Sequence, residues 1–222
     1  MGVTGKLRSV PRRLKDSIRQ EGLWRFIARA AASPVYRAAD FQLIPFEHEL
    51  QEPGGRPPSL AVRIAEETDM ELVAGLRPQR SPEALRRRLL SGHNCFISLV
   101  DGRLASVRWV RTDVVDLDYL GVVLPLGGDE ISTYEVFASP AYRHLQVRKA
   151  AVDFYYRYYL ERGFHAIAGY AIPGRKPFGR DNPSSVATIR TLRLGPFRKF
   201  WVKTCGPQAE YWRERLKELR WA

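Results

Sequence analysis

The chain has 222 residues, 45% hydrophobic and 11% aromatic, with a formal net charge of +12. That apolar content is enough to bury a core and excludes global disorder. No run of eighteen apolar residues occurs and the N-terminus has no contiguous apolar stretch, so neither a membrane span nor a secretory signal is expected and the expected location is cytoplasmic. Cys95 and Cys205 lie far apart, and His48, His93, His144 and His165 show no ligand spacing, so a disulfide, a metal site and a histidine-based nucleophile are not expected.

In chain order, residues 1–50 read as a basic amphipathic helical segment. Leu14, Ile18, Leu23, Phe26, Ile27 and Ala30 recur at helical spacing, broken at Gly22 and ended by Ser33-Pro34. Met1 to Arg37 holds nine Lys and Arg against Asp16 and Glu21, a net of +7. Arg12 and Arg13 stand at its centre as candidate contacts to a polyanion, either RNA or an anionic membrane surface; docking on the main domain is the third role such a segment can have. Residues 51–58, Gln-Glu-Pro-Gly-Gly-Arg-Pro-Pro, read as a linker, leaving 59–222 as the main domain.

Within that domain Leu60 to Ala65 alternates as a strand, and Thr68 to Glu71 has the form of a capping box opening a helix through Leu76. Ser81-Pro82 starts a second helix, through Leu90. Strands at Asn94 to Val100 and Arg103 to Arg111 flank Asp101-Gly102, a two-residue hairpin signal. Further strands are expected at Val114 to Val123 and Ser132 to Ala138. Apolar residues from Val147 to Tyr158 mark one face of a helix ended by Gly163, and Phe164 to Ile172 is the next strand. A basic loop follows, with Arg175, Lys176, Phe178 and Arg180, then an expected helix from Pro183 to Leu194, a strand from Phe200 to Thr204 and a helix from Pro207 to Trp221. The order implies a mixed α/β fold with helices on both faces of one sheet.

Residues Tyr134 to Lys149 pass from a strand through a tight turn into a helix, with Arg143, His144, Arg148 and Lys149 at the helix start, a place suited to phosphate. Together the β-α-α opening, the Asp101-Gly102 hairpin, the strand Tyr134-Glu-Val-Phe-Ala138 followed by Ser-Pro-Ala-Tyr-Arg143, and Asn182-Pro-Ser-Ser185 resemble the GNAT acetyltransferase superfamily over roughly residues 60 to 205. The resemblance implies a central strand that splays from its neighbour at a bulge, with Val136, Phe137 and Ala138 along the edge that holds the donor's pantetheine arm. It also implies carbonyl polarisation by a backbone N–H near Phe137 or Ala138, and donor contacts from Asn182 and Ser185 at a helix start.

The superfamily's pyrophosphate loop carries two glycines where this chain has Gln146 and Arg148, and His144 stands where a further glycine is frequent. Side chains there narrow the space in which backbone amides would meet a pyrophosphate. Three readings stay open. Gln146, Arg148 and Lys149 replace the backbone donors and acetyl-CoA or another acyl-CoA binds; or the donor is carried on a larger partner, aminoacyl-tRNA first among carriers; or the domain only binds polyanions. The carrier reading leads, because Arg12, Arg13, the Arg143 to Lys149 loop and Arg175, Lys176 and Arg180 together supply a basic track.

The chemistry is then amide formation by acyl transfer to a small-molecule amine, for which Glu135 is the candidate base, its pKa expected to rise through partial burial. Tyr134 and Tyr142 are candidate acids, since Ile189 stands where the superfamily often has a tyrosine. Asp113, Asp116 and Asp118 are candidates for binding the acceptor amine, or a solvated strand face.

Overall fold

The computed structural model describes residues 36–46, 59–77, 79–142, 147–172, 185–194, 197–206 and 208–222. It is a mixed α/β fold, as the element order implies. The eleven described strands are β1 (Tyr36–Pro45), β2 (Leu60–Ile64), β3 (Asn94–Val100), β4 (Arg103–Arg111), β5 (Val114–Leu117), β6 (Val122–Pro125), β7 (Glu130–Ala138), β8 (Ala166–Ala171), β9 (Ser185–Leu194), β10 (Phe197–Thr204) and β11 (Arg220–Trp221). The described helices are α1 (Met70–Leu76), α2 (Pro82–Leu90), α3 (Val147–Leu160) and α4 (Ala209–Arg215). Two compact units are present: Ala38–Ile189 with Val202–Ala222, and, among its described residues, Tyr36 and Arg37 with Arg190–Trp201.

In the larger unit the main sheet runs β9-β1-β8-β7-β4-β3-β2, and β5, β6 and β11 make a second sheet. α1 and α2 cover one face of the main sheet, over Cys95, Ile97, Val107 and Trp109. α3 covers the other with Tyr155, Tyr156 and Tyr159 against Ile44, Phe96, Val110, Ile131 and Ile167. The two sets alternate along β3 and β4, as the two-residue period of a strand requires.

Local chemistry explains most element ends. The Ser81 hydroxyl accepts from the Ala84 N–H at the start of α2, with Pro82 in the first turn. Asp101 (φ 49°) and Gly102 (φ 74°) both take the left-handed conformation that a two-residue hairpin needs. The capping box before α1 lies earlier than Thr68: Glu66 and Asp69 close it around a single 3-10 turn, Glu67–Asp69. Arg63 holds Asp69 through two hydrogen bonds of 2.6 Å, so the cap is also an ion pair.

Four expectations need correction. Tyr36–Pro45 is not part of a helical segment or a linker-bound appendage but a strand, inserted beside β8 with Gln42 opposite Gly169 and Ile44 opposite Ile167; residues 1–35 and the 51–58 linker lie outside the described residues. Val114 to Val123 is a hairpin rather than one strand, turning at Asp118 to Gly121 (φ 69°). Ser185–Leu194 is a strand, with Ala187, Ile189 and Thr191 buried at every second position, rather than a helix from Pro183. The C-terminus is a short helix that ends early, letting Arg220 and Trp221 pair with Val123 and Val122 of β6.

Two features of β7 shape the site. Its pairing with β4 slips by one residue between Val107 opposite Phe137 and Trp109 opposite Tyr134, and Glu135 in the slip has φ 45°. This is a β-bulge, and it places a non-glycine residue in a conformation that costs roughly 1 kcal/mol or more. On its other side β7 runs parallel to β8 but pairs with it only from Glu130 to Ser132, opposite Ala166 to Ala168. Beyond Ser132 the strands part. That is the splay which the GNAT resemblance implies.

Candidate active site

The gap between β7 and β8 opens a cleft of about 100 Å³. β1 contributes Gln42 and Ile44 to its wall, β5 Val115 and Asp116, β7 Ser132 and Thr133, and β8 the run from Ile167 to Tyr170. These residues meet because β1 pairs with β8 on the side away from β7, while β5 stands over the parting strands. Ile44, Val115 and Ile167 give the lining apolar surface and Gln42, Ser132 and Thr133 polar groups, a mixture that orients a small ligand by a few directed contacts.

The polar groups on this wall differ in how far they are satisfied. Gln42 is 4% exposed and its side-chain Oε1, itself enclosed, has no hydrogen-bond partner among the described residues. A buried acceptor without a donor costs free energy, about 1–3 kcal/mol in mutational series. Tyr170 donates its hydroxyl to Asp118, and Arg111 grips Asp113 through bonds of 2.7 and 2.8 Å, holding that carboxyl down at about 2. Of the three aspartates expected at the acceptor side, Asp116 is the one left without an ion pair or hydrogen bond among the described residues. Burial, reinforced by Asp118, raises its pKa.

Beside the cleft, on the α1 and α2 side, stands a second polar cluster that is fully paired. Glu135 accepts from Arg88 at 2.8 and 3.0 Å and from Arg80 at 2.6 Å. The Arg88 hydrogen bond lowers the Glu135 pKa against the opposing effect of burial, so the expected rise is corrected to a fall. A carboxylate held this way is a weak base and a strong tether: it fastens the bulge of β7 to α2. Arg88 also lies over the rings of Trp109 and Tyr134, 5.5 and 5.6 Å from their centroids. The Tyr134 hydroxyl shares a hydrogen bond with His93 Nδ1, and burial pushes this tyrosine up to about 12.

The expected donor edge is present as backbone. Val136 is 46% exposed, Phe137 is half-buried with Arg77 5.5 Å from its ring centroid, and Ala138 ends the strand. On the opposite face of the sheet, and opposite the bulge, Arg108 is 3% exposed, donates to the Tyr155 hydroxyl at 3.0 Å and lies 4.6 Å from the centre of that ring. Arg148 and Lys149 lie in the first turn of α3, Arg148 exposed and Lys149 half-buried. Ser185 opens a strand, not a helix, so its expected role at a helix start does not apply; its carbonyl accepts from Cys205 Sγ. Ile189 is likewise a buried strand residue, which removes the basis for comparing it with a helical tyrosine. Tyr142 is half-buried and packs near Val147. Arg12, Arg13, Arg143, His144, Gln146, Arg175, Lys176, Phe178, Arg180 and Asn182 lie outside the described residues.

Gln42 and the whole β1 wall are absent from the sequence expectations. The available signal was weak: Phe41 and Gln42 are buried side by side, because a strand paired on both edges and covered on both faces loses its alternation. Among the described residues no three His, Cys, Asp or Glu side chains come together to hold a metal, and no helix is long and apolar enough to cross a membrane.

No family model matches the sequence, and no curated protein matches it either. Several solved structures overlap it in part. A functionally unknown conserved protein from Staphylococcus epidermidis is similar over 77% of this chain, at 8% identity and a TM-score of 0.42; this chain spans 60% of that protein's length. A predicted acetyltransferase from Clostridium acetobutylicum, solved with acetyl-CoA, is 12% identical over 55% of this chain and 94% of its own, at a TM-score of 0.39. An aminoglycoside acetyltransferase from an uncultured soil metagenomic sample, solved with sisomicin, is 14% identical over 48% of this chain and 73% of its own, at 0.36. Overlaps this partial leave the site's own geometry to carry a functional reading.

Proposed function

We propose that this chain is a GNAT-like N-acyltransferase that moves an acyl group from a pantetheine thioester to a small-molecule amine, with Asp116 as the base. The observation that carries the reading is the early parting of β7 from β8: pairing stops at Ser132 and Ala168, so among the described residues β7 from Thr133 to Ala138 forms no ladder with β8, and Thr133 lines the cleft. A free strand edge binds an extended chain of amides by adding it as a further strand, and a pantetheine arm is such a chain. Coenzyme A and an acyl carrier protein share that arm. An aminoacyl ester on tRNA has none; of the basic residues that favour tRNA, Arg148 and Lys149 lie in the first turn of α3, and Arg12, Arg13, Arg143, Arg175, Lys176 and Arg180 lie outside the described residues.

Each step then has a residue. Asp116 takes one proton from the ammonium form of the acceptor, for which its raised pKa suits it. The neutral nitrogen attacks the thioester carbonyl while backbone N–H groups on the free edge of β7 hold the oxyanion. As the C–N bond forms and the C–S bond breaks, the second nitrogen proton passes to the departing thiolate, and Asp116 returns its own to solvent. Glu135 takes no part in this sequence; it holds the bulge.

Thermal stabilisation by CoA, by acetyl-CoA and by deacylated and aminoacylated tRNA, followed by transfer assays on a panel of amines, tests the reading. The expected result is stabilisation by CoA and amide formation that Asp116→Asn abolishes while CoA still stabilises the variant. Salt-sensitive stabilisation by tRNA with none from CoA or an acylated carrier protein would return the donor to the carrier reading. Transfer to no amine from any donor would remove the enzyme.

A further inference from the structure

Independently of the acyl-transfer reading, we infer that the paired strands β9 and β10 carry a docking surface for an anionic phospholipid membrane. The charge of the chain is segregated. Arg190 to Trp201 holds Arg190, Arg193, Arg198 and Lys199 with no acidic residue, and Met1 to Arg37 has a net of +7, so these two stretches hold all but one of the chain's net charge of +12. Tyr36, Arg37 and Arg190–Trp201 belong to the smaller compact unit. Within it Arg190 and Arg193 of β9 and Arg198 and Lys199 of β10 are all exposed. Successive side chains of a strand point to opposite faces, so exposure of both Arg198 and Lys199 opens both faces of β10 at that point. β10 pairs with β9 and, among the described residues, has no strand along its other edge.

Exposed aromatic rings accompany these cations. Trp201 is 41% exposed, with Lys199 Nζ 5.2 Å from its ring centre, and Tyr36 is 53% exposed. Solubility asks for charge but not for large rings in water. A bilayer interface uses both: Lys and Arg meet the anionic headgroups, while Trp and Tyr, apolar rings with one polar handle, rest at headgroup level. RNA would also take cations and rings. It has no use for a further apolar stripe, however, and Leu14, Ile18, Leu23, Phe26 and Ile27 recur at helical spacing among the cations that precede Tyr36 in the sequence. Basic charge joined to apolar contact is the combination that holds a protein on a membrane surface.

The test is cosedimentation of the full chain with vesicles of phosphatidylcholine alone and of phosphatidylcholine containing about one quarter phosphatidylglycerol. Binding is expected to the mixed vesicles only, falling steeply between about 0.1 and about 0.5 M salt. Arg198→Gln with Lys199→Gln lowers the partition coefficient about 25-fold, from about fivefold per cation removed, whereas the charge-keeping pair Arg198→Lys with Lys199→Arg stays within about threefold of wild type. Brominated lipid chains quench part of the tryptophan fluorescence, and Trp201→Phe removes a share of that quenching. Binding to neither vesicle, equal binding to both, no change on double neutralisation, equal losses in both double variants, or quenching unmoved by Trp201→Phe would overturn the inference. Salt-sensitive binding of a single-stranded RNA oligonucleotide with none to the vesicles would overturn it too, and give the surface to nucleic acid.

Discussion

Two polar clusters flank β7, one on each side of its bulge, and they contrast in completion. On the α2 side Glu135 is saturated by Arg80 and Arg88, Tyr134 is bonded to His93, and aromatic rings close over the guanidinium. At the β8 side, among the described residues, Gln42 Oε1 is enclosed without a partner and exposed Asp116 has no ion pair or hydrogen bond, both on the wall of a cleft. Both clusters hold a carboxylate beside the same strand. The saturated one has a lowered pKa and the open one a raised pKa, with burial opposing the shift in the first and driving it in the second. Completed polar networks fix geometry, whereas incomplete ones carry a cost that a substrate can relieve. On the proposed reading Glu135 serves the fold and Asp116 the chemistry.

The contrast breaks most visibly at Asp116. Asp116→Asn is expected to lower kcat/KM for acyl transfer by on the order of 10³-fold, with stability changed by no more than about 0.5 kcal/mol; a variant that keeps activity would dissolve the distinction. Next in size is a third carboxylate. Glu130, 3% exposed at the start of β7, receives Arg215 and the Gly127 N–H at 3.0 Å, and so ties the C-terminal helix to the main sheet. Glu130→Gln leaves Arg215 buried without its charge partner, for an expected loss of about 3–5 kcal/mol in denaturant unfolding.

Glu135→Gln should cost about 2 kcal/mol, with the activity per folded molecule retained within about threefold. Its pH dependence sharpens the point. The folded-state pKa of Glu135 lies below its unfolded value, so its contribution is fully present above the ordinary glutamate range and disappears as pH falls through the lowered folded value. Wild-type and Glu135→Gln unfolding free energies should converge on acidification from pH 6 toward pH 3, and parallel curves would deny the tether. For Asp116 the sign runs the other way: a raised pKa in a base means that kcat/KM climbs through a midpoint above the usual aspartate range, a step that Asp116→Asn should erase. The smallest effect is a labelling contrast. Cys95, buried beneath α1 and α2 and pushed up to about 12, should resist a thiol reagent at pH 8 that modifies exposed Cys205.

Sequence reading located β2, both helices of the α-α opening, the β3-β4 hairpin, β7, α3 and β8, because each carries its own local instruction: a cap, a left-handed turn pair, or a period of two or 3.6. It misread Ser185–Leu194, where Asn182-Pro183 has the form of a helix start although Ala187, Ile189 and Thr191 keep a strand's alternation. It also split the site unevenly. The donor edge at Val136 to Ala138 was legible through the resemblance, whereas Glu135 was taken for the base because its position on a strand does not disclose that Arg80 and Arg88 arrive from 55 and 47 residues away.

By itself, then, the sequence determined the fold class, the strand that bulges, and the presence of carboxylates on both sides of it. Local propensity and patterning act over a few residues, and those features are local. Which carboxylate is tied down and which is left open, and that a glutamine from Tyr36–Pro45 reaches the same cleft, were decided by pairings between distant segments, β1 with β8 and α2 with the β7 bulge. Charge balance at a site depends on every neighbour the fold brings within a few ångströms, and no window along the chain contains them.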